Sequence, residues 1–176
     1  MAKHFGEATM GDTLAHFLIP ATDIRNFKPT WIRHFKGQKD TSPEGWNTMK
    51  LRDAVRAATS APTYFPAKYV ETTPDPSTPN IKHRHALIDG SFFSGNSLQH
   101  LMTEARRLAP PDAEVMAVRI GTGNDKHNIT PEEFNKPGLF GLISPSNGAA
   151  LLSLFFNMTA MDVETDMKDQ YGERFF

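Results

Sequence analysis

The residues of this 176-residue chain best placed to do chemistry are an aspartate and a glycine closing an apolar run, Leu87-Ile88-Asp89-Gly90-Ser91. In an α/β sheet, functional groups collect at the carboxyl ends of strands. Gly90 would let the chain turn sharply there, so that the Asp89 carboxylate points into a crevice. A carboxylate so placed can take a serine proton directly, provided burial raises its pKa and a hydrogen-bond path exists. The commoner role of an Asp-Gly pair is simply a turn. Ser60 ends a helix where a nucleophile elbow should start one, and it lacks flanking glycines, so it reads as structural. Ser91 is too close to Asp89 in sequence to be its attacking partner and is expected to bond the turn backbone.

Two other groupings have ligand-like spacing. His83, His85, Leu87 and Asp89 share one face of a period-2 strand, which offers two imidazoles and a carboxylate to a zinc ion. A solvated strand start is the commoner reason for Lys82-His83-Arg84, and no metal is assigned. Gly121-Thr122-Gly123 follows an apolar run, as a nucleotide turn would. It lacks the third glycine and a following helix to receive phosphate, so no cofactor is assigned.

These residues must be carried by the elements around them. Phe17 to Ile24 and Thr30 to Phe35 are rich in branched and aromatic residues and read as strands. Thr48 to Thr59 reads as a helix, with Met49, Leu51, Ala54, Val55 and Ala58 at helical spacing and Pro62 beyond its end. Pro74, Pro76 and Pro79 make 71–80 an exposed loop. His85 to Ile88 is then a strand, Ser97 to Leu108 a helix, and Ala113 to Ile120 a buried strand. That alternation predicts an α/β domain with a mostly parallel sheet flanked by helices. A short helix is expected at Pro131 to Phe134, and a last long one over 146–171, capped by Ser146 or Asn147. Its Leu151, Leu154, Phe155, Met158 and Met161 suit a packed core, the commoner reason for such a stripe, or a groove for an acyl chain.

Composition sets limits on partners. With 39% hydrophobic and 22% charged residues the chain has an ordinary globular make-up, long enough for a single domain over 1–176. A formal net charge of -1 leaves no broad basic footprint for nucleic acid. There is no cysteine, hence no disulfide or thiolate metal site. No signal peptide is evident, and the apolar stretch around 149–156 is too short to span a bilayer, so a cytoplasmic location is the default expectation.

Two segments, Ala57-Ala58-Thr59-Ser60-Ala61-Pro62-Thr63-Tyr64-Phe65-Pro66 and Leu87 to Ser91 followed by Asn96, resemble the second half of the patatin-like lipid acyl hydrolases. Phe17 to Asp23, Lys28 to Ile32, Arg119 to Gly123 and Leu151 to Asn157 follow in that family's order. Ser91 stands where the family has a second glycine or alanine, and Gly95-Asn96-Ser97 replaces an Asn-Asn-Pro. The resemblance implies a partial patatin-like, α/β-hydrolase-related domain, with Asp89 as general base of a Ser–Asp dyad and Gly90 as the motif turn. It also implies a lipid or acyl-ester substrate, transient contact with a membrane surface and no cofactor. The family's Gly-x-Ser-x-Gly elbow and glycine-rich oxyanion loop do not occur in this sequence, so an upstream segment carrying the nucleophile is implied and the chain alone is expected to be inactive. The alternatives are a non-catalytic remnant that binds lipid or protein, and a metal-dependent hydrolase built on His83, His85 and Asp89.

Overall fold

The computed structural model describes residues 2–35, 43–74, 77–120 and 150–172. It divides into two compact units, Met1–Phe93 and Ser94–Phe176. The first is a four-stranded sheet with a helix packed on it. Its strands are β1 (Phe17–Asp23), β2 (Lys28–His34), β3 (Lys68–Thr72) and β4 (His83–Asp89), in the order β2-β1-β4-β3. Every pairing is antiparallel.

The expected mostly parallel sheet is therefore corrected, and the connections explain why. β1 and β2 pair from Phe17↔His34 to Asp23↔Lys28 across four residues, too short a link for anything but a reversal. β3 and β4 are joined through the proline loop and also fold back on each other, Thr72↔His83 to Lys68↔Leu87. The parallel expectation rested on Ala113 to Ile120 forming a buried strand after a crossover helix. Those residues have no regular structure, and Met116, Val118 and Ile120 are 87%, 79% and 93% exposed. Without that strand no βαβ unit occurs among the described residues.

A short helix α1 (Ala2–Phe5) and single 3-10 turns at Met10–Asp12 and Trp46–Thr48 precede the helix α2 (Leu51–Ala58). α2 begins later than the Thr48 start that apolar spacing predicts, and β3, which that spacing does not predict, takes Glu71 and Thr72 from the expected loop. α2 packs against β1, β3 and β4. Ala54 and Ala57 are fully buried on its inner face, and with Ala21 on β1 they let the helix axis approach the sheet. Met10, Ile32, Trp46, Met49, Val70 and Leu87 complete the core. On β2 the alternation is regular: Thr30, Ile32 and His34 are buried while Trp31 and Arg33 are less so. Asp53 of α2 and Lys68 of β3 tie helix to sheet edge at 2.8 Å.

The second unit contains α3 (Leu98–Leu108) and α4 (Ala150–Tyr171), which pack on each other. Asn96 caps α3, its Oδ1 accepting from the Leu98 N–H at 3.0 Å. Met102 and Met167 are buried, and the Arg106 guanidinium lies 5.0 Å from the Tyr171 ring centroid. On α4, Leu154, Phe155, Met158 and Met161 are exposed rather than packed as a core stripe. The Gly121 to Gly123 turn, the helix expected at 131–134 and the caps at Ser146 and Asn147 lie outside the described residues.

Gly45 is decisive for the way Trp46 enters the core. Its φ is +68°, and a Cβ there would lie 2.5 Å from the Thr73 carbonyl oxygen and from Pro74 Cα. Gly45→Ala combines a left-handed residue with a backbone clash, and should destabilise the protein by about 2–4 kcal/mol. Urea denaturation followed by tryptophan fluorescence checks this, and an unchanged midpoint would contradict it.

Candidate active site and the ends of β4

Asp89 stands at the carboxyl end of β4, opposite Ala21 of β1. The ladder stops there because of Pro20. Ile24 donates its N–H to the Ala86 carbonyl at 2.9 Å, so by alternation the even-numbered residues of β1 aim their backbone groups at β4. Pro20 is one of these and has no N–H to give to the residue after Asp89. That residue is Gly90, and a Cβ on it would fall 2.4 Å from the Pro20 carbonyl carbon and 2.5 Å from its Cβ. Gly90 is thus required by close approach to the neighbouring strand, and not by the sharp turn expected of it. From Gly90 the chain enters a single 3-10 turn, Gly90–Phe92, closed by Phe93 packing edge-on against Trp31 with ring centroids 5.4 Å apart.

Asp89 was expected to face a crevice instead of capping its own turn. It caps: Oδ1 accepts from the Ser91 N–H at 2.8 Å and from the Ser91 hydroxyl at 2.6 Å. Ser91 therefore bonds the carboxylate and not the turn backbone. The reason is local, since a carboxylate on the residue just before a 3-10 turn meets that turn's unbonded N–H. Asp89 Oδ2 has no hydrogen bond to any described residue, so one oxygen is anchored while the other can accept a proton.

The two segments singled out in the sequence meet at this point. The Asp89 N–H donates to the Ser60 carbonyl at 3.1 Å. Ser60 is fully buried and its hydroxyl donates to the Arg56 carbonyl at 2.7 Å, one turn back along α2. That hydroxyl is committed to the helix end and closed to solvent. Arg56 in turn lies 5.1 Å from the centroid of the Phe65 ring, which fastens the segment after Ser60 to α2.

The opposite end of β4 holds a pair that the sequence reading missed. Asp23, with no exposed surface, accepts from His85 Nδ1 at 2.8 Å and from the Asn26 side-chain amide at 2.7 Å. The Arg25, Asn26 and Ala86 N–H groups complete its shell. His85 Nε2 lies 3.3 Å from the Thr72 hydroxyl, which itself donates to the Glu44 carbonyl, and the Trp46 ring centroid lies 4.6 Å from that of His85. Burial pushes the Asp23 carboxyl up, but the Asn26 and His85 side chains and the backbone donors outweigh it and hold it below the ordinary aspartate value. His83, His85 and Asp89 do not converge on an ion, since His85 faces Asp23. No group of three or more metal-binding side chains occurs among the described residues. No helix among them is long and apolar enough to cross a membrane.

No protein-family model matches the chain. Curated plant proteins do. It is 24% identical to patatin-like protein 1 of Oryza sativa subsp. indica over 189 aligned positions, covering 99% of this chain and 43% of that protein. Patatin-like protein 1 of Arabidopsis thaliana is 27% identical over 158 positions, 82% of this chain and 36% of its own length. Probable inactive patatin-3-Kuras 1 of Solanum tuberosum is 25% identical over 159 positions, 82% of this chain and 41% of its own length. These matches, at 23–27% identity over most of the chain, support membership of the patatin-like family. It spans about two-fifths of the length of the curated relatives it matches.

Two measurements test this geometry. Gly90→Ala should destabilise the protein by about 1–3 kcal/mol through its clash with Pro20, and a urea midpoint equal to the wild type would refute the close-approach argument. For Asp23 the folded state depresses the pKa below its ordinary value of 3.8. Its stabilisation is therefore complete above that value and is lost as pH falls through the still lower folded one. Asp23→Asn should cost about 3 kcal/mol at neutral pH by breaking a buried pair. It should also flatten the loss of stability below about pH 4, so parallel acid limbs for variant and wild type would exclude this role.

Proposed function

We propose that residues 1–176 form the C-terminal portion of one patatin-type lipid acyl hydrolase domain, and that Asp89 is its general base. The observation that carries this reading is the half-anchored carboxylate. Ser91 fixes Oδ1, Pro20 and Gly90 fix the backbone on either side, and Oδ2 is left to accept a proton. In the proposed reaction Asp89 Oδ2 takes the proton of a serine as its Oγ attacks the acyl carbonyl. The proton passes to the departing alcohol, and water, activated by the same carboxylate, then releases the fatty acid and restores the serine. That serine would come from a segment upstream of this sequence, in keeping with the greater length of the relatives. The substrate is then a lipid acyl ester, met in transient contact with a membrane surface.

A second reading has its own observation. Ser91 replaces a family glycine or alanine and occupies one oxygen of Asp89, as it would in a segment where that aspartate only caps its turn.

One experiment separates the two. The 1–176 chain alone should leave short acyl esters unhydrolysed and should not react with a serine-directed fluorophosphonate. A protein extended to include the upstream serine should hydrolyse them, and Asp89→Asn should lower kcat by about a hundredfold or more. Unchanged hydrolysis in that variant, with only its thermal stability reduced, would leave Asp89 a capping residue and end the proposal.

A further inference from the structure

The amino end of β4 opens into a basin of about 550 Å³ whose lining includes Arg25, Lys28, Lys82 and Arg84, with His83 beside them and Glu44 as the one carboxylate among the described residues. Four permanent cations around a single concavity are notable in a chain of net charge -1. They are also incompletely neutralised. Lys28 pairs with Glu44 at 2.8 Å, while Lys82 and Arg84 share Glu71, at 3.5 and 2.9 Å. Arg84 uses only its Nε in that pair, leaving its terminal N–H groups to donate elsewhere. Arg25 has no carboxylate partner among the described residues. Counting Glu71 with Glu44, cations exceed carboxylates by two among the described residues.

The basin's shape is built rather than incidental. Arg25 stands on the β1–β2 turn, and that turn is held by Asp23, which accepts from the N–H groups of Arg25 and Asn26. The Asn26 amide also reaches the Arg84 carbonyl at 3.4 Å, joining the turn to β4. The same Asp23 binds His85, a residue that also borders the basin. The backbone carrying Arg25 and Arg84 is therefore fixed by a buried network before any ligand arrives, which lowers the ordering cost of binding.

We propose that this basin is an anion site that takes a phosphate group, with Arg25 and Arg84 as its principal donors. Guanidinium groups match a phosphate bidentately, and Lys28 and Lys82 add point charge at the rim. The site is separate from Asp89, which stands about 20 Å away at the other end of the strand, and it does not depend on what Asp89 does. The phosphate could belong to a lipid headgroup or to a soluble phosphate compound, since the recognising chemistry is the same.

The test uses the full chain and isothermal titration calorimetry with inorganic phosphate at fixed ionic strength. Arg25→Gln with Arg84→Gln should weaken binding by about tenfold or more, equivalent to roughly 1.4 kcal/mol. A control that removes two cations elsewhere, Arg107→Gln with Lys168→Gln, should change it by less than about twofold. Both Arg25 and Arg84 are exposed, so the pair should keep the wild-type circular dichroism spectrum, and Arg25→Gln alone should shift affinity the same way. Co-sedimentation with phosphatidylcholine vesicles, with and without phosphatidic acid, distinguishes the sources. Recruitment by phosphatidic acid that the double variant loses identifies a lipid headgroup, whereas phosphate binding without recruitment identifies a soluble ligand. No binding of phosphate by the wild type, or an equal loss in the control, overturns the proposal.

Discussion

A buried carboxylate organises the first unit. Asp23 has no exposed surface, and an aspartate in that position is tolerated only if its charge is met by donors on every side. Five donors meet it, drawn from the β1–β2 turn and from β4. Satisfying that charge fixes the reversal after β1 and the orientation of His85 in β4. Through His85 it also reaches Thr72 of β3 and the Trp46 ring. A one-residue slip of β1 against β4 would leave the carboxylate facing the wrong strand face with most of its donors gone, so the polar pair sets register where apolar packing alone would permit alternatives.

The two ends of β4 are consequently held by different physics. At its amino end the constraint is electrostatic and depends on charge satisfaction. At its carboxyl end the constraint is steric: Pro20 offers no N–H and Gly90 offers no side chain, so the ladder ends and the strands touch. Asp89 lies at the boundary between ladder and contact. Its backbone N–H is taken by Ser60 and one carboxylate oxygen by Ser91, which leaves the other oxygen as the variable part of the site.

What could be read in the sequence follows from the range of the interactions involved. α2 and the strands β1, β2 and β4 were legible because local apolar spacing decides them, and the place of Asp89 at a strand end was legible because an Asp-Gly pair after an apolar run marks one. Strand direction was misjudged because Ala113 to Ile120 has strand-like composition but is exposed, and no local signal reveals the absence of a partner strand. β3 was hidden because Glu71 and Thr72 sit against a proline-rich loop, where local chemistry favours irregular chain over a strand set by pairing with His83 and Arg84. The Asp23–His85 pair was missed because its members are 62 residues apart. Its one local trace was Asp23 at a strand end with Asn26 three residues on, a spacing at which a carboxylate bonds turn amides.

The steric device at Gly90 also bears on why a serine can stand at position 91. Where the family pattern has a second glycine or alanine, no side chain can compete for the aspartate. Here the Ser91 hydroxyl reaches Oδ1 at 2.6 Å, and it does so from a turn whose path Pro20 and Phe93 already fix. The extra bond restrains χ1 and χ2 of Asp89, and it costs the carboxylate one lone pair without touching the second oxygen. Substituting serine for the small residue thus adds a restraint on the orientation of a single carboxylate, with the surrounding strand contacts left as they were.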